Sequence, residues 1–254
     1  MFRSLLFYTT LLFLTVTLAL MVIPIALLAR SGRIPHLFAR FWARSLLMVS
    51  GVRVEVEGLE KIDLHQAYVF AANHQSQFDI FALFACLPLQ FRWLAKKELF
   101  RIPLFGAAMK KADYIPIDRS NRKEAFRSVD LAAARVREGM SIVIFPEGTR
   151  SQDGRLNFFK KGGFFLAMKS GRPIVPVTIS GSYGILPKKG YRIRPGVVRV
   201  YIGDPLPTEG LEMADKDWLI SEVRRRIQLK LPPEEKGEPE PQPALPTRAA
   251  PEGP

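Results

Sequence analysis

From Leu5 to Ala29 the chain carries no charged residue, a run of 25 positions interrupted by Pro24. About 20 apolar residues suffice to cross a bilayer as a helix. The run is longer than the roughly 7–15 residues of a signal-peptide core, so it predicts an anchor kept in the protein, either spanning or kinked and re-entrant at Pro24. The next stretch is amphipathic. At about 100° per residue, Arg33, Arg40 and Arg44 fall within about 20° of one direction, and Phe38, Trp42, Leu46 and Val49 fall opposite. This fits a helix over 33–50 lying in a membrane interface, arginines toward phosphates and aromatics toward acyl chains. It fits equally a helix packed on a domain core; the preceding apolar run favours the membrane.

From Val52 short β-like runs alternate with helical patterns. Val52, Val54 and Val56 alternate with charged residues, the period of a half-exposed strand. Further strands are expected at 68–72, 91–95, 114–117, 141–145, 174–179 and 197–202. Helices are expected at 78–87, from a capping box at Asn121 and Glu124 to about Gly139, at 164–169 and at 218–229. The alternation predicts an α/β fold with a largely parallel sheet flanked by helices. Residues 1–50 then form a membrane-associating segment and 51–230 the main domain. The Pro-rich acidic stretch 231–254 reads as a disordered tail.

The net charge is +13, and it is uneven. Residues 231–254 hold five acids and two bases, so the rest of the chain carries +16. A body that basic expects an anionic membrane surface, a phosphorylated ligand or nucleic acid. Its bases are scattered over strand ends in no recognisable nucleic-acid module, so nucleic acid is not the expected partner. The single cysteine, Cys86, lies among Phe81, Leu83, Phe84 and Leu87 and reads as a small buried apolar residue rather than a nucleophile.

Three segments could carry chemistry. Asn73–Asp79 follows the strand at 68–72. A histidine can hold a proton near neutral pH, and a carboxylate on its second ring nitrogen fixes the tautomer. Five residues along one helix turn about 140°, so His74 and Asp79 can meet only if His74 precedes the helix and Asp79 lies in its first turns. No serine or cysteine nucleophile elbow accompanies them, so the nucleophile is expected to come from the substrate. Phe145–Ser151 follows another apolar strand; glycine permits a tight turn, and Thr149 and Arg150 can donate to phosphate oxygens. Tyr114–Arg119 places Arg119 beyond a third, and Lys96 and Lys97 follow a fourth. In a parallel sheet those ends share one edge, which makes a basic site around His74. Taken singly, each base reads better as a solvated surface residue than as a ligand contact; their recurrence at strand ends is what argues for a site.

These blocks together resemble the 1-acyl-glycerol-3-phosphate acyltransferases of the glycerolipid acyltransferase family. Asn73–Asp79 matches its NHx4D block, Tyr114–Arg119 the block ending in Asp-Arg, Glu147–Arg150 the EGTR block and Ile174–Val177 the IVPV block. In the second block Pro116 and Asp113 stand where the family often has an aromatic and a glycine. The resemblance implies that His74 is the general base, oriented by Asp79. It implies that Lys96, Arg119, Glu147, Gly148, Thr149 and Arg150 help hold the acceptor phosphate, and that Ile174–Val177 are mainly structural, shaping the acyl or acceptor side of the cleft. The donor would be acyl-CoA or acyl-carrier protein, with no cofactor and no metal, and the acceptor a membrane lipid, 1-acyl-glycerol 3-phosphate. Glycerol 3-phosphate, another lysophospholipid or a lyso-amino lipid are alternative acceptors. A non-catalytic basic protein of the membrane surface is an alternative of a different kind. The expected location is the bacterial inner membrane, with the site on its cytoplasmic side.

Overall fold

The computed structural model describes residues 1–29 and 32–239. Two helices open the chain, α1 (Phe2–Ala29) and α2 (Arg33–Ser50). Then follow β1 (Val52–Glu57), β2 (Val69–Ala72), α3 (Phe78–Cys86), β3 (Phe91–Lys96), α4 (Phe105–Lys111), β4 (Ile115–Ile117), α5 (Arg122–Arg137) and β5 (Ser141–Ile144). The chain continues through α6 (Gly162–Ser170), β6 (Ile174–Ser180), α7 (Ser182–Ile185), β7 (Gly196–Ile202) and α8 (Lys216–Lys230). The seven strands form one sheet in the order β1-β7-β6-β2-β5-β3-β4. Every pairing is parallel except β6 with β7.

The central strands are apolar on both faces because helices cover both. Successive residues serve opposite layers: Phe70 and Ala72 join the core beneath α2 and α3, whereas Val69 and Ala71 join the core beneath α5, α6 and α8. The expected capping box is half made. Asn121 accepts the Glu124 N–H, but the Glu124 side chain pairs with Arg127 at 2.7 Å instead. Asp113, at the position where the family pattern often has glycine, adopts a φ of 58°, a region that aspartate tolerates better than most residues.

Helix α1 packs along its length on the domain. Arg3 Nη1 donates to the Ser50 carbonyl at 2.8 Å, and the Ile193 N–H donates to Ser4 Oγ at 2.9 Å. Phe7 stacks on Phe78, and Trp42 Nε1 donates to Thr15 Oγ1. The Arg3–Ser50 and Thr15–Trp42 contacts make α1 and α2 antiparallel. The apolar face of α2 divides between the domain and a cavity. Of its expected acyl-facing residues, Leu46 is fully buried in the domain core, whereas Phe38, Trp42 and Val49 are partly buried and Phe38 and Trp42 line a cavity open on one side. Its exposed apolar residues are Leu37, Phe41 and Met48. Arg40 and Arg44 donate to the Pro88 and Ala85 carbonyls around the end of α3, where free carbonyls and the helix dipole favour cations. A helical wheel shows which face is apolar but not what covers it.

The chain from 231 to 239, expected to belong to the disordered tail, is ordered against the domain. Leu231 is buried, and Pro233–Glu235 form a short 3₁₀ turn. The remainder of that expected tail lies outside the described residues.

Candidate active site

The strands β2, β5, β3 and β4 are neighbours and parallel, so their carboxyl ends share one edge. Beyond β2 the chain leaves the sheet, makes the loop 73–77 and enters α3, with His74 in the loop and Asp79 as the second residue of the helix. His74 Nδ1 lies 2.8 Å from Asp79 Oδ2. The same oxygen accepts the Gln75 N–H at 2.7 Å and the Ser76 N–H at 2.9 Å. A carboxylate there requires the imidazole to carry its proton on Nδ1, which leaves the lone pair of Nε2 for chemistry. Asp79 is fully buried at a helix N-terminus, where backbone N–H groups and the dipole favour its charge.

The loop is pinned at several points. The Asn73 side chain makes a two-way bond with the Ile179 backbone, 2.7 Å in each direction. Ser76 Oγ donates to the Leu186 carbonyl. The His74 ring lies flat on Phe145, 3.8 Å between centroids and 11° between planes, and Phe145 stacks in turn on Trp93. The sequence reading gave these two aromatics no role. Their register carries the signal: Trp93 pairs with Val143, and Phe145, two positions on, falls on the same face.

Beyond β5, Gly148 turns the chain with a φ of 74°. A Cβ there would lie 2.9–3.0 Å from the Lys160 side chain. Arg119, from the end of β4, donates through Nη1 to the Gly148 carbonyl, so two sequence blocks 29 residues apart meet. Lys97 donates to Asp118 beside it, and this bond, with those from Ser120, holds the Asp118 carboxyl well below the usual carboxylate range. Lys96 is exposed, with Nζ 3.7 Å from Glu98.

His74, Lys96, Arg119, Gly148, Thr149 and Arg150 all line one cavity of about 600 Å³. They form its polar end. The rest is apolar, walled by α1, α2 and α4 through residues such as Ala19, Ala39, Trp42 and Met109. Glu147 and Ile174–Val177 do not line the cavity. Glu147 is 3% exposed and turns away from the cavity. Its Oε1 accepts the His74 N–H at 2.6 Å, and its Oε2 accepts both the Asn157 N–H and Asn157 Nδ2. Its carboxyl is taken up by those backbone and side-chain donors and does not face the cavity, so it does not contact a phosphate bound there. Ile174–Val177 are buried within β6, set in the sheet beside β2, and build the frame rather than the cavity wall.

The acyltransferase family model matches residues 53–180. A 1-acyl-sn-glycerol-3-phosphate acyltransferase of Cocos nucifera is 33% identical over 195 residues, which cover 76% of this chain and 60% of that one. The 1-acyl-sn-glycerol-3-phosphate acyltransferase alpha of Homo sapiens is 35% identical over 178 residues, covering 70% and 63%. The chain thus spans between half and two thirds of the length of such curated relatives. The crystal structure of the 1-acyl-sn-glycerophosphate (LPA) acyltransferase PlsC from Thermotoga maritima superposes with a TM-score of 0.76 at 26% identity, covering 89% of this chain and 92% of that one. The family match takes in just over half of the 254 residues and all four sequence blocks, and this chain belongs to the acyltransferase family.

Proposed function

We propose that this protein transfers a fatty acyl group from acyl-CoA or acyl-carrier protein to the free hydroxyl of 1-acyl-glycerol 3-phosphate, forming phosphatidic acid. The observation that carries the reading is the cavity itself, with an oriented His74 and several cations at one end and an apolar bore behind them. A long acyl chain suits the bore, a phosphate suits Lys96, Arg119 and Arg150, and the hydroxyl between them comes within reach of His74. The names of the relatives support the same acceptor.

In this mechanism His74 Nε2 takes the proton of the acceptor hydroxyl as its oxygen attacks the thioester carbonyl. The carbon–sulfur bond then breaks, and the thiolate leaves with the proton that the imidazolium returns. Asp79 stabilises the imidazolium between those two events. The nucleophile is the substrate's own oxygen, so no side-chain acyl intermediate forms.

Helix α1 is 28 residues long and apolar, and is the one helix among the described residues long and apolar enough to cross a membrane. We read it as embedded along one leaflet, because contacts at Ser4, Phe7, Thr15, Val22 and Ala26 hold it against the catalytic body throughout. Its outer side presents Leu5, Leu12, Phe13, Leu20 and Leu28 to lipid. The basic body would then rest on an anionic surface.

The test is mass-spectrometric detection of phosphatidate from lysophosphatidate and an acyl thioester, beside His74→Ala. Product from the parent and none from the variant is expected. Transfer near the parent rate by His74→Ala would remove the mechanism, and product only from glycerol 3-phosphate or a lyso-amino lipid would replace the acceptor.

A further inference from the structure

After α8 the chain returns to the loop that carries His74. The Glu235 carboxylate accepts Gln75 Nε2 at 2.8 Å with Oε2 and the Gly181 N–H at 2.9 Å with Oε1, and its carbonyl accepts the Leu156 N–H at 3.0 Å. One residue therefore ties together the loop after β2, the turn after β6 and the stretch following the Glu147 loop. The returning segment is itself held: the Gly237 carbonyl accepts Gln228 Nε2, and the Glu238 carbonyl accepts Arg224 Nη2.

Gln75 is 1% exposed and stands between His74 and Asp79. Its N–H is one of the donors to Asp79 Oδ2, the oxygen that holds the His74 ring. Its side-chain amide is anchored by Glu235, by the Gly154 carbonyl at 2.8 Å and by Ser182 Oγ at 3.4 Å. The peptide between His74 and Gln75 is held at its carbonyl by the Ser151 N–H, and the anchored amide adds a second hold that keeps its N–H aimed at Asp79.

We propose that Glu235 is a positioning residue for acyl transfer. By clamping the buried amide of Gln75 it fixes the backbone donor that orients Asp79, and through Asp79 the ring of His74. The chemistry calls for a carboxylate: two donors, from Gln75 and Gly181, converge on the side chain, and an ionised carboxylate offers two acceptor oxygens with no competing donor. Stability alone would not choose one, since burial and the charges of Glu234 and Asp79 oppose its ionisation. The inference rests on His74 as the general base.

The experiment is steady-state kinetics of the full-length protein with lysophosphatidate and an acyl thioester, on Glu235→Ala, Gln75→Ala, the double variant and Glu235→Gln, beside His74→Ala. Glu235→Ala should lower kcat by roughly ten- to a hundredfold with the acceptor KM within about twofold, the mark of misplacement rather than lost binding. Gln75→Ala should do the same, and the double variant should be no slower than Gln75→Ala, because the two act in series. Glu235→Gln, which keeps one acceptor, should fall between and serves if Glu235→Ala does not fold. An unchanged kcat, single losses that multiply in the double variant, or a rise in KM alone would overturn the proposal. A parent-like rate in His74→Ala would instead sink the general-base reading and is told apart by that variant alone.

Discussion

The backbone N–H of His74 donates to Glu147 Oε1 at 2.6 Å, and in return the His74 carbonyl accepts the Ser151 N–H at 2.8 Å. The base-bearing loop and the phosphate-side loop are thereby laced together by one bond to a side chain and one between main chains. The carboxylate doing this is buried, and among the described residues no cation pairs with it. Desolvation outweighs its N–H donors and, with the charge of Asp79, pushes its pKa up to about 7.

That shift has a definite sign in stability. The folded value of about 7 lies above the ordinary 4.5, so the native state holds an extra proton between the two. The contribution is fully present below the lower value and lost as pH rises through the upper one, on the order of 3 kcal/mol in total. Glu147→Gln removes the titration. Measured by urea unfolding in detergent, wild-type stability relative to Glu147→Gln should fall between pH 4.5 and pH 7.5. A difference independent of pH would mean that Glu147 titrates as an exposed carboxylate.

Asp79→Asn tests charge separately from geometry. The Gln75 and Ser76 N–H groups both point at the position of Oδ2 and select the amide oxygen there. The His74 ring should keep its Nδ1–H tautomer while losing the anion that stabilises the imidazolium. We expect kcat to fall roughly a hundredfold or more with little change in acceptor KM. Retention of near-parent kcat would show that orientation, not charge, is all Asp79 provides.

How much of this was legible in the sequence varies with range. The His74–Asp79 pair could be read because it is local: five residues and a strand-to-helix corner determine whether it forms. The gathering of Lys96, Arg119 and Arg150 could be read because parallel strands place their ends together. The inward turn of Glu147 could not, since its partners His74 and Asn157 come from either side of a loop with no periodicity. Helix α4 was missed because seven residues, Phe105–Lys111, are too short to show a period. The Glu235–Gln75 bond spans 160 positions and lies in a stretch whose proline and acid content reads as disorder. Composition reports the average cost of folding such a segment, and a few specific bonds can outweigh it.

Arg119 and Arg150 should differ in what they lose. Both line the polar end of the cavity, but Arg119 also donates to the Gly148 carbonyl. Arg150→Ala should raise the acceptor KM about ten- to a hundredfold, the worth of one charge-assisted bond, with kcat largely kept. Arg119→Ala should raise KM similarly and also lower kcat, because it frees the turn that presents Thr149 and Arg150. Arg119→Lys should recover little, since an ammonium lacks the planar fork that serves a carbonyl and a phosphate together. Kinetics with varied lysophosphatidate decide this. An unchanged KM in both alanine variants would move the phosphate elsewhere.

The apolar bore should set which acyl chains are transferred. Ala39 on α2 lines it and is only partly buried, so a larger side chain there can project into the cavity with limited strain on the core. Ala39→Phe should leave His74 and the cationic end untouched, because it changes only the bore walled by α1, α2 and α4. In competition among acyl thioesters of graded length, the variant should favour shorter chains than the parent, by roughly tenfold in kcat/KM for the longest, as expected when several methylenes lose their burial. If the bore instead holds the chain already on the acceptor, the preference will shift along a series of lysophosphatidates and not along the thioesters. If neither profile moves, the cavity does not house an acyl chain during transfer, and the polar end must be served from the open membrane surface.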